Sequence, residues 1–186
     1  MALPLRVSLV SLSVLVATTG AGSGPVFAAA APAVASGAPR LASPDFAAGG
    51  PIPTRFTCKG AGDRPTLKWS GVPAAANSIA IVVIDPDAVN GPFTHWMVYG
   101  IPAARSGTIS GGDLPAGAHE QTNSAGKVGW KGPCPPDGTG IHHYHFMLYA
   151  DRGAVTGGTP ADTEVQIRKQ AIAGATLIGT VAAAQQ

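Results

Sequence analysis

The chain has 186 residues, 45% of them apolar, 6% aromatic and 12% charged, with 25 glycines, 17 prolines and a formal charge of +2. That length accommodates one domain with a sizeable core, and the glycine and proline content points to a loop-rich β protein, away from a coiled coil or helical bundle. The twelve Lys and Arg residues are scattered, so no basic stripe exists to neutralise a phosphate backbone and nucleic acid is not an expected partner.

Arg6 precedes an apolar run at 7–17 broken only by serines, and a glycine-rich stretch then ends in Val26-Phe27-Ala28. A charged start, a short hydrophobic segment and small residues at minus three and minus one form the order of a secretory signal. Residues 1–28 are therefore predicted to be a signal peptide cleaved after Ala28, with the mature protein exported to the periplasm or secreted. Gly20, Gly22, Gly24 and Pro25 interrupt the run before the roughly 20 residues a membrane span needs, so no stable span is expected after cleavage; an uncleaved anchor is the alternative. Residues 29–40 are mainly Ala, Pro, Ser and Gly and read as a flexible spacer, leaving 41–184 as the folded domain.

Within that domain, 52–57 alternates apolar and polar residues as a half-buried strand does, and 67–69 reads as a short strand. Residues 78–84 form a continuous β-branched run ended by Asp85-Pro86, the signature of a core strand. Strands are also expected over 94–101 and 142–150. The intervening 103–136 is long, glycine-rich and irregular, a type of loop that usually carries function. Thr159-Pro160 followed by Asp162 and Glu164 is a helix start. Val165, Ile167, Ile172, Leu177, Ile178 and Val181 continue at roughly helical spacing and predict a helix over one end of a sheet. Gly174 and Gly179 oppose that helix by about 1 kcal/mol each relative to Ala.

Chemistry-bearing residues gather in a few segments: Asp85-Pro86-Asp87, His95-Trp96, Gly132-Pro133-Cys134-Pro135-Pro136 and His142-His143-Tyr144. Alternation along a strand puts His142 and Tyr144 on one face and His143 and His145 on the other. Prolines on both sides of Cys134 remove the neighbouring donors and leave its amide N–H free to face an anion. Imidazole and phenol donors, a backbone N–H and rigid walls suit a small anionic ligand. A carboxylate at Asp85 can fix a histidine's tautomer, or meet a ligand amine or a protonated phosphate oxygen. The candidate ligand-binding residues are Asp85, Asp87, His95, Cys134, His142 and Tyr144.

Each motif alone has a structural reading: Asp-Pro-Asp opens turns, strand histidines often sit in a core or on a surface, and Pro135-Pro136 can simply stiffen a loop. Joint occurrence favours a site. His95, His142, His143 and His145 invite a zinc reading, but their division between faces and the lack of His-Glu-x-x-His or Cys-x-x-Cys spacing oppose it, so neither metal nor cofactor is expected. Ser124-Ala125-Gly126-Lys127 matches Ser-x-x-Lys but lies in a glycine-rich loop without the companion motifs of acyl-enzymes. The chain is therefore read as a binding protein and not an enzyme. Two alternatives are a hydrolase with His95 or His142 as general base oriented by Asp85, which would need Cys134 as a free thiol, and a surface protein with a vestigial pocket. Export to an oxidising compartment would allow Cys58 and Cys134 to pair, a bridge worth roughly 4 kcal/mol in the chain-entropy treatment; two separate thiols are the other reading.

These motifs resemble the signature of the phosphatidylethanolamine-binding protein family, in its bacterial form often called Raf kinase inhibitor-like. The resemblance covers roughly 43–180, aided by Phe56-Thr57-Cys58-Lys59-Gly60, Leu67-Lys68-Trp69 and Gly71-Val72-Pro73; the bacterial branch commonly has a cysteine at both sites seen here. It implies a mostly β fold, a β-sandwich of two antiparallel sheets with a C-terminal helix and a shallow anion pocket at one end. Asp85, His95, His142 and Tyr144 match the pocket side chains of the family, and the Cys134 amide its phosphate-facing backbone. The implied ligand is phosphate, phosphoethanolamine or a similar head group. Some members inhibit kinases or serine carboxypeptidases, which adds a protein enzyme as a partner class, and no shared reaction is implied. Val89 stands where the family usually has proline, His143 where it usually has arginine, and Trp130 near a frequent tyrosine.

Overall fold

The computed structural model describes residues 37–184, all within one compact unit; the expected signal peptide, its cleavage site after Ala28 and residues 29–36 of the spacer lie outside the described residues. Eight strands and one helix follow in the order β1 (Arg40–Ala42), β2 (Leu67–Ser70), β3 (Ser78–Asp85), β4 (Phe93–Pro102), β5 (Gly107–Ile109), β6 (His119–Glu120), β7 (Ile141–Asp151), α1 (Pro160–Gln170) and β8 (Ala171–Ala182). They form a three-stranded sheet in the order β1-β2-β5 and a five-stranded sheet in the order β6-β4-β3-β7-β8. Every ladder is antiparallel. This is the predicted pair of antiparallel sheets.

The order of the larger sheet follows from residue type. Strand β3 carries no alternation because both its faces are covered, and a continuous run of Ile and Val meets that demand. Ile79, Ile81 and Val83 join Trp96, Val98, Phe146 and Leu148 in a core shared with Leu41, Leu67, Trp69 and Ile109 of the smaller sheet. On the opposite face Ala80, Val82 and Met97 pack with Ile167 of α1. Each fully buried side chain of this size is worth roughly 1.5–3 kcal/mol. Helix α1 begins as the sequence indicates: the Thr159 side chain caps Asp162 N–H, with proline in the first turn.

Two expected elements are different. Residues 52–57 do not form a strand; Pro51 makes an isolated bridge to Thr180 and Thr54–Phe56 is a 3-10 turn. Ile52, Phe56 and Thr57 are buried while Thr54 is exposed, so the burial does not alternate either; the two apolar side chains face inward from a turn. The helix expected to run toward Val181 stops at Gln170, and the rest is β8, paired with β7 from Ile141↔Ala182 to Asp151↔Ala171. A ladder that pairs every residue of this glycine-containing segment except Ile172 satisfies its inner backbone groups, which outweighs a helix weakened at Gly174 and Gly179. The 103–136 stretch is mainly irregular, with only β5 and β6 inside it.

Asp151 closes β7 and is fully buried, and neither carboxylate oxygen has a hydrogen-bond partner. Burial pushes its carboxyl up to about 7. An unfolded aspartate ionises near 3.9, so the unfolded chain gives up this proton first as pH rises, and the stability associated with it is lost between about pH 4 and 7. Thermal unfolding of the protein and of Asp151→Asn across pH 4 to 8 tests this. The variant should gain on the parent as pH rises through this range, at roughly 2–4 °C per kcal/mol relieved; a pH-independent difference would contradict it.

Candidate functional site

Antiparallel pairing brings the end of β3 beside the starts of β4 and β7, with Asp85 opposite Phe93 and Ile84 opposite both Thr94 and His145. Asp85 continues the inward row of Ile79, Ile81 and Val83, and His142 and Tyr144 continue the inward row of Phe146 and Leu148. One end of the inter-sheet core therefore ends in polar groups.

His95 reaches this place by a different route. Trp96 and Val98 face the inter-sheet core and Met97 the helix side, so regular alternation would send His95 toward the helix. The ladder instead steps from Val83↔Trp96 to Ile84↔Thr94, leaving His95 as the extra residue of a β-bulge. A bulge re-aims a side chain, and the His95 ring lies edge-on to Tyr144, with centroids 5.1 Å apart.

The site is a cleft of about 650 Å³. Asp85, His95, His142 and Tyr144 line it, together with loop residues including Val89 and Phe93 and a wall that includes Lys131, Cys134 and Pro136. Cys134 is bonded to Cys58, and Cys58 N–H donates to Pro133 O at 2.9 Å. The wall is also tied to β4, because Lys131 N–H donates to His95 O at 2.9 Å while the His95 ring meets Lys131 O at 2.7 Å. Gly132 permits this path, since a Cβ there would stand 2.8 Å from Phe56 O.

His142 and Asp85 form a buried pair in the cleft. His142 Nδ1 lies 2.7 Å from Asp85 Oδ2, with the two side chains 1% and 5% exposed. His142 Nε2 lies 2.9 Å from Thr139 Oγ1, and the Thr139 hydroxyl donates to Pro136 O at 2.6 Å. The Thr139 hydroxyl thus bridges Pro136 O and the far nitrogen of the ring, while Asp85 holds the near one. Asp85 Oδ1 accepts Asp87 N–H at 2.9 Å. Both ring nitrogens of His142 are thus engaged within the protein, and the ring acts as a strut.

His95 and Tyr144 offer what remains. Burial holds the His95 imidazole below its usual range, against the opposing pull of the Lys131 carbonyl and Asp85. Burial, followed by the Asp85 charge, pushes the Tyr144 phenol up, keeping it protonated. The buried Tyr144 hydroxyl makes no hydrogen bond of ordinary geometry within the protein, although buried polar groups are normally satisfied; its nearby acceptor is the Asp85 carboxylate, which also favours the protonated phenol. Among the described residues the Cys134 amide N–H meets no backbone acceptor either. These three groups converge on the cleft.

Asp87 lies apart from them. Its carboxylate accepts the backbone N–H of His143 at 2.8 Å and meets the His143 ring at 2.7 Å; the hydrogen bond from this ring is the largest cause of its lowered pKa. His143 thus faces out of the pocket, as alternation requires, and pairs across the turn. Thr139 is the residue the sequence reading missed; a hydroxyl three residues before a pocket histidine was the available signal. Among the described residues no group of three or more His, Cys, Asp or Glu side chains could hold a metal ion.

Residues 42–182 match the family described as phosphatidylethanolamine-binding protein. A Mycobacterium tuberculosis protein named "Putative lipoprotein LppC" is 48% identical over 155 residues, covering 82% of this chain and 76% of its own length. Among solved structures, CT736 of Chlamydia trachomatis, named as a homologue of the phosphatidylethanolamine-binding proteins, superposes with a TM-score of 0.70 at 34% identity, covering 77% of this chain and 97% of its own. Escherichia coli YbcL, described as a member of the mammalian family of that name, gives a TM-score of 0.70 at 29% identity, covering 77% and 98%.

An unpartnered buried hydroxyl costs roughly 1–3 kcal/mol. Tyr144→Phe should therefore stabilise the ligand-free protein by about 1 kcal/mol in urea denaturation while weakening anion binding about tenfold. Loss of stability with unchanged binding would contradict a ligand-facing role for this hydroxyl.

Proposed function

Because the chain belongs to the phosphatidylethanolamine-binding protein family, we propose that it is an exported binding protein whose cleft takes a small phosphoryl or other anionic head group. The observation that carries the reading is the buried Tyr144 hydroxyl, which has Asp85 nearby but no hydrogen bond of ordinary geometry within the protein, adjoins His95 and shares the cleft with Cys134. Such an arrangement leaves hydrogen-bonding capacity for a ligand oxygen. Asp85 stands behind this set and offers an acceptor to a ligand amine, which a phosphoethanolamine head group supplies.

Export is supported by the sequence pattern of residues 1–28, by the Cys58–Cys134 bond, which favours an oxidising compartment, and by the lipoprotein name of the mycobacterial relative. Binding without catalysis is supported by the state of Cys134: the thiol that the hydrolase alternative needed is bonded to Cys58. Val89, 66% exposed and part of the cleft wall, gives the mouth an apolar lip. A protein enzyme presenting an anionic group to this mouth is the macromolecular partner class that the family resemblance adds.

Titration with phosphate and with phosphoethanolamine, followed by NMR, tests the reading. Saturable shifts are expected at His95, Cys134 and Tyr144, and His95→Ala should weaken binding about tenfold or more while the remaining spectrum stays folded. Absence of saturable shifts with either compound would overturn it.

A further inference from the structure

The cleft's free polar atoms differ in kind, and the difference has chemical content. His95 Nδ1 is 2.7 Å from Lys131 O; because a carbonyl only accepts, Nδ1 carries the hydrogen of the neutral ring and Nε2 presents a lone pair. Among the described residues the ring's hydrogen bond within the protein is at Nδ1, which leaves Nε2 open to the cleft. The Tyr144 hydroxyl and the Cys134 amide, by contrast, are donors. Asp85 adds a second acceptor behind them, its oxygens held by Asp87 N–H and His142 Nδ1. His142 has no nitrogen to spare.

We propose that the pocket selects an oxyanion that brings its own proton, namely a singly protonated phosphoryl group, and discriminates against sulfuryl groups of equal charge that have no O–H to give. The inference rests on the anion-pocket reading and deepens it. In the bound state the ligand P–O–H donates to His95 Nε2, while its unprotonated oxygens accept from Tyr144 O–H and Cys134 N–H. A sulfate monoester would put an oxygen lone pair against the Nε2 lone pair unless His95 were first protonated.

Protonation of His95 is opposed by its surroundings. Phe93 packs on the ring at 4.7 Å, Trp130 at 6.5 Å and Tyr144 at 5.1 Å. Among charged and titratable neighbours, Asp85 favours the imidazolium, whereas Lys131 and His142 disfavour it, and burial is the largest influence. The ring therefore stays an acceptor at pH values where an exposed histidine would have become a donor. A site built to accept a hydrogen rejects an analogue that lacks it, since the acceptor, once the ligand covers it, is left unpaired.

Methyl phosphate and methyl sulfate separate the possibilities. At pH 6, close to its second ionisation at about 6, roughly half of methyl phosphate is a monoanion with one O–H, and methyl sulfate is a monoanion of the same shape with none. Calorimetric titration of the protein at pH 6 should give methyl phosphate at least about tenfold tighter binding. Methyl sulfate affinity should rise as pH is lowered and His95 is protonated. Nitrogen-15 NMR of labelled histidine should show His95 Nε2 without hydrogen in the free protein and hydrogen-bonded once methyl phosphate is added. Equal affinities for the two esters, or a hydrogen on Nε2 of the free protein at pH 6, would overturn the proton selectivity while leaving the anion pocket standing. Failure of both esters to bind, with no shift at His95 or Tyr144, would remove the pocket reading and the selectivity with it.

Discussion

The contact between Asp85 and His142 fixes the geometry on which the site depends. It joins the last residue of β3 to the second residue of β7 at 2.7 Å, away from solvent. Two ionisable groups in such a place are tolerated only as a satisfied set, and the set is closed: Asp87 N–H takes one carboxylate oxygen, His142 the other, and Thr139 the far side of the ring. One of these bonds, from Asp87 N–H to Asp85 Oδ1, lies in the turn after β3, so the strut and the start of the pocket wall share Asp85. Removing either partner would leave a buried group without its counterpart, at a cost of several kcal/mol.

The opposite wall is held by covalent and steric means. The Cys58–Cys134 bond, the close passage of Gly132 by Phe56 O and the two-way pairing of Lys131 with His95 fix the 131–134 segment before any ligand arrives. Prolines around Cys134 limit what that backbone can do. Donors held in this way lose little freedom on binding, the usual source of affinity in a shallow site. The Tyr144 hydroxyl, buried without a hydrogen bond of ordinary geometry, is a cost that the folded protein carries beside this wall.

Much of this was legible in the chain. The Ile and Val run of 78–84 identified the central strand, and simple alternation placed His142 with Tyr144 and turned His143 away. The Thr159-Pro160 pair marked the helix start. The bulge at His95 was not legible, because one extra residue in a ladder is set by pairing with β3 and leaves no mark on the local pattern. Residues 171–182 were misread for a related reason: Ile172, Leu177, Ile178 and Val181 fit a helical spacing by coincidence, and the competing ladder with β7 is a long-range term. In 52–57 the apolar Ile52 and Phe56 are buried, but neither the alternation nor the extended backbone expected there is present. Asp87 shares a motif with Asp85, yet lies across the turn on His143, since adjacent positions after a strand diverge in direction.

The central claim is that distant segments converge to present two donors and one acceptor to a single oxyanion. A crystal structure of the protein soaked with phosphoethanolamine tests it most directly. The account predicts phosphoryl oxygens within hydrogen-bonding distance of the Tyr144 hydroxyl, the Cys134 amide and His95 Nε2, with the His142 ring still bonded to Asp85 and Thr139. A head group bound elsewhere on the surface, with the Tyr144 hydroxyl still unpartnered, would contradict it.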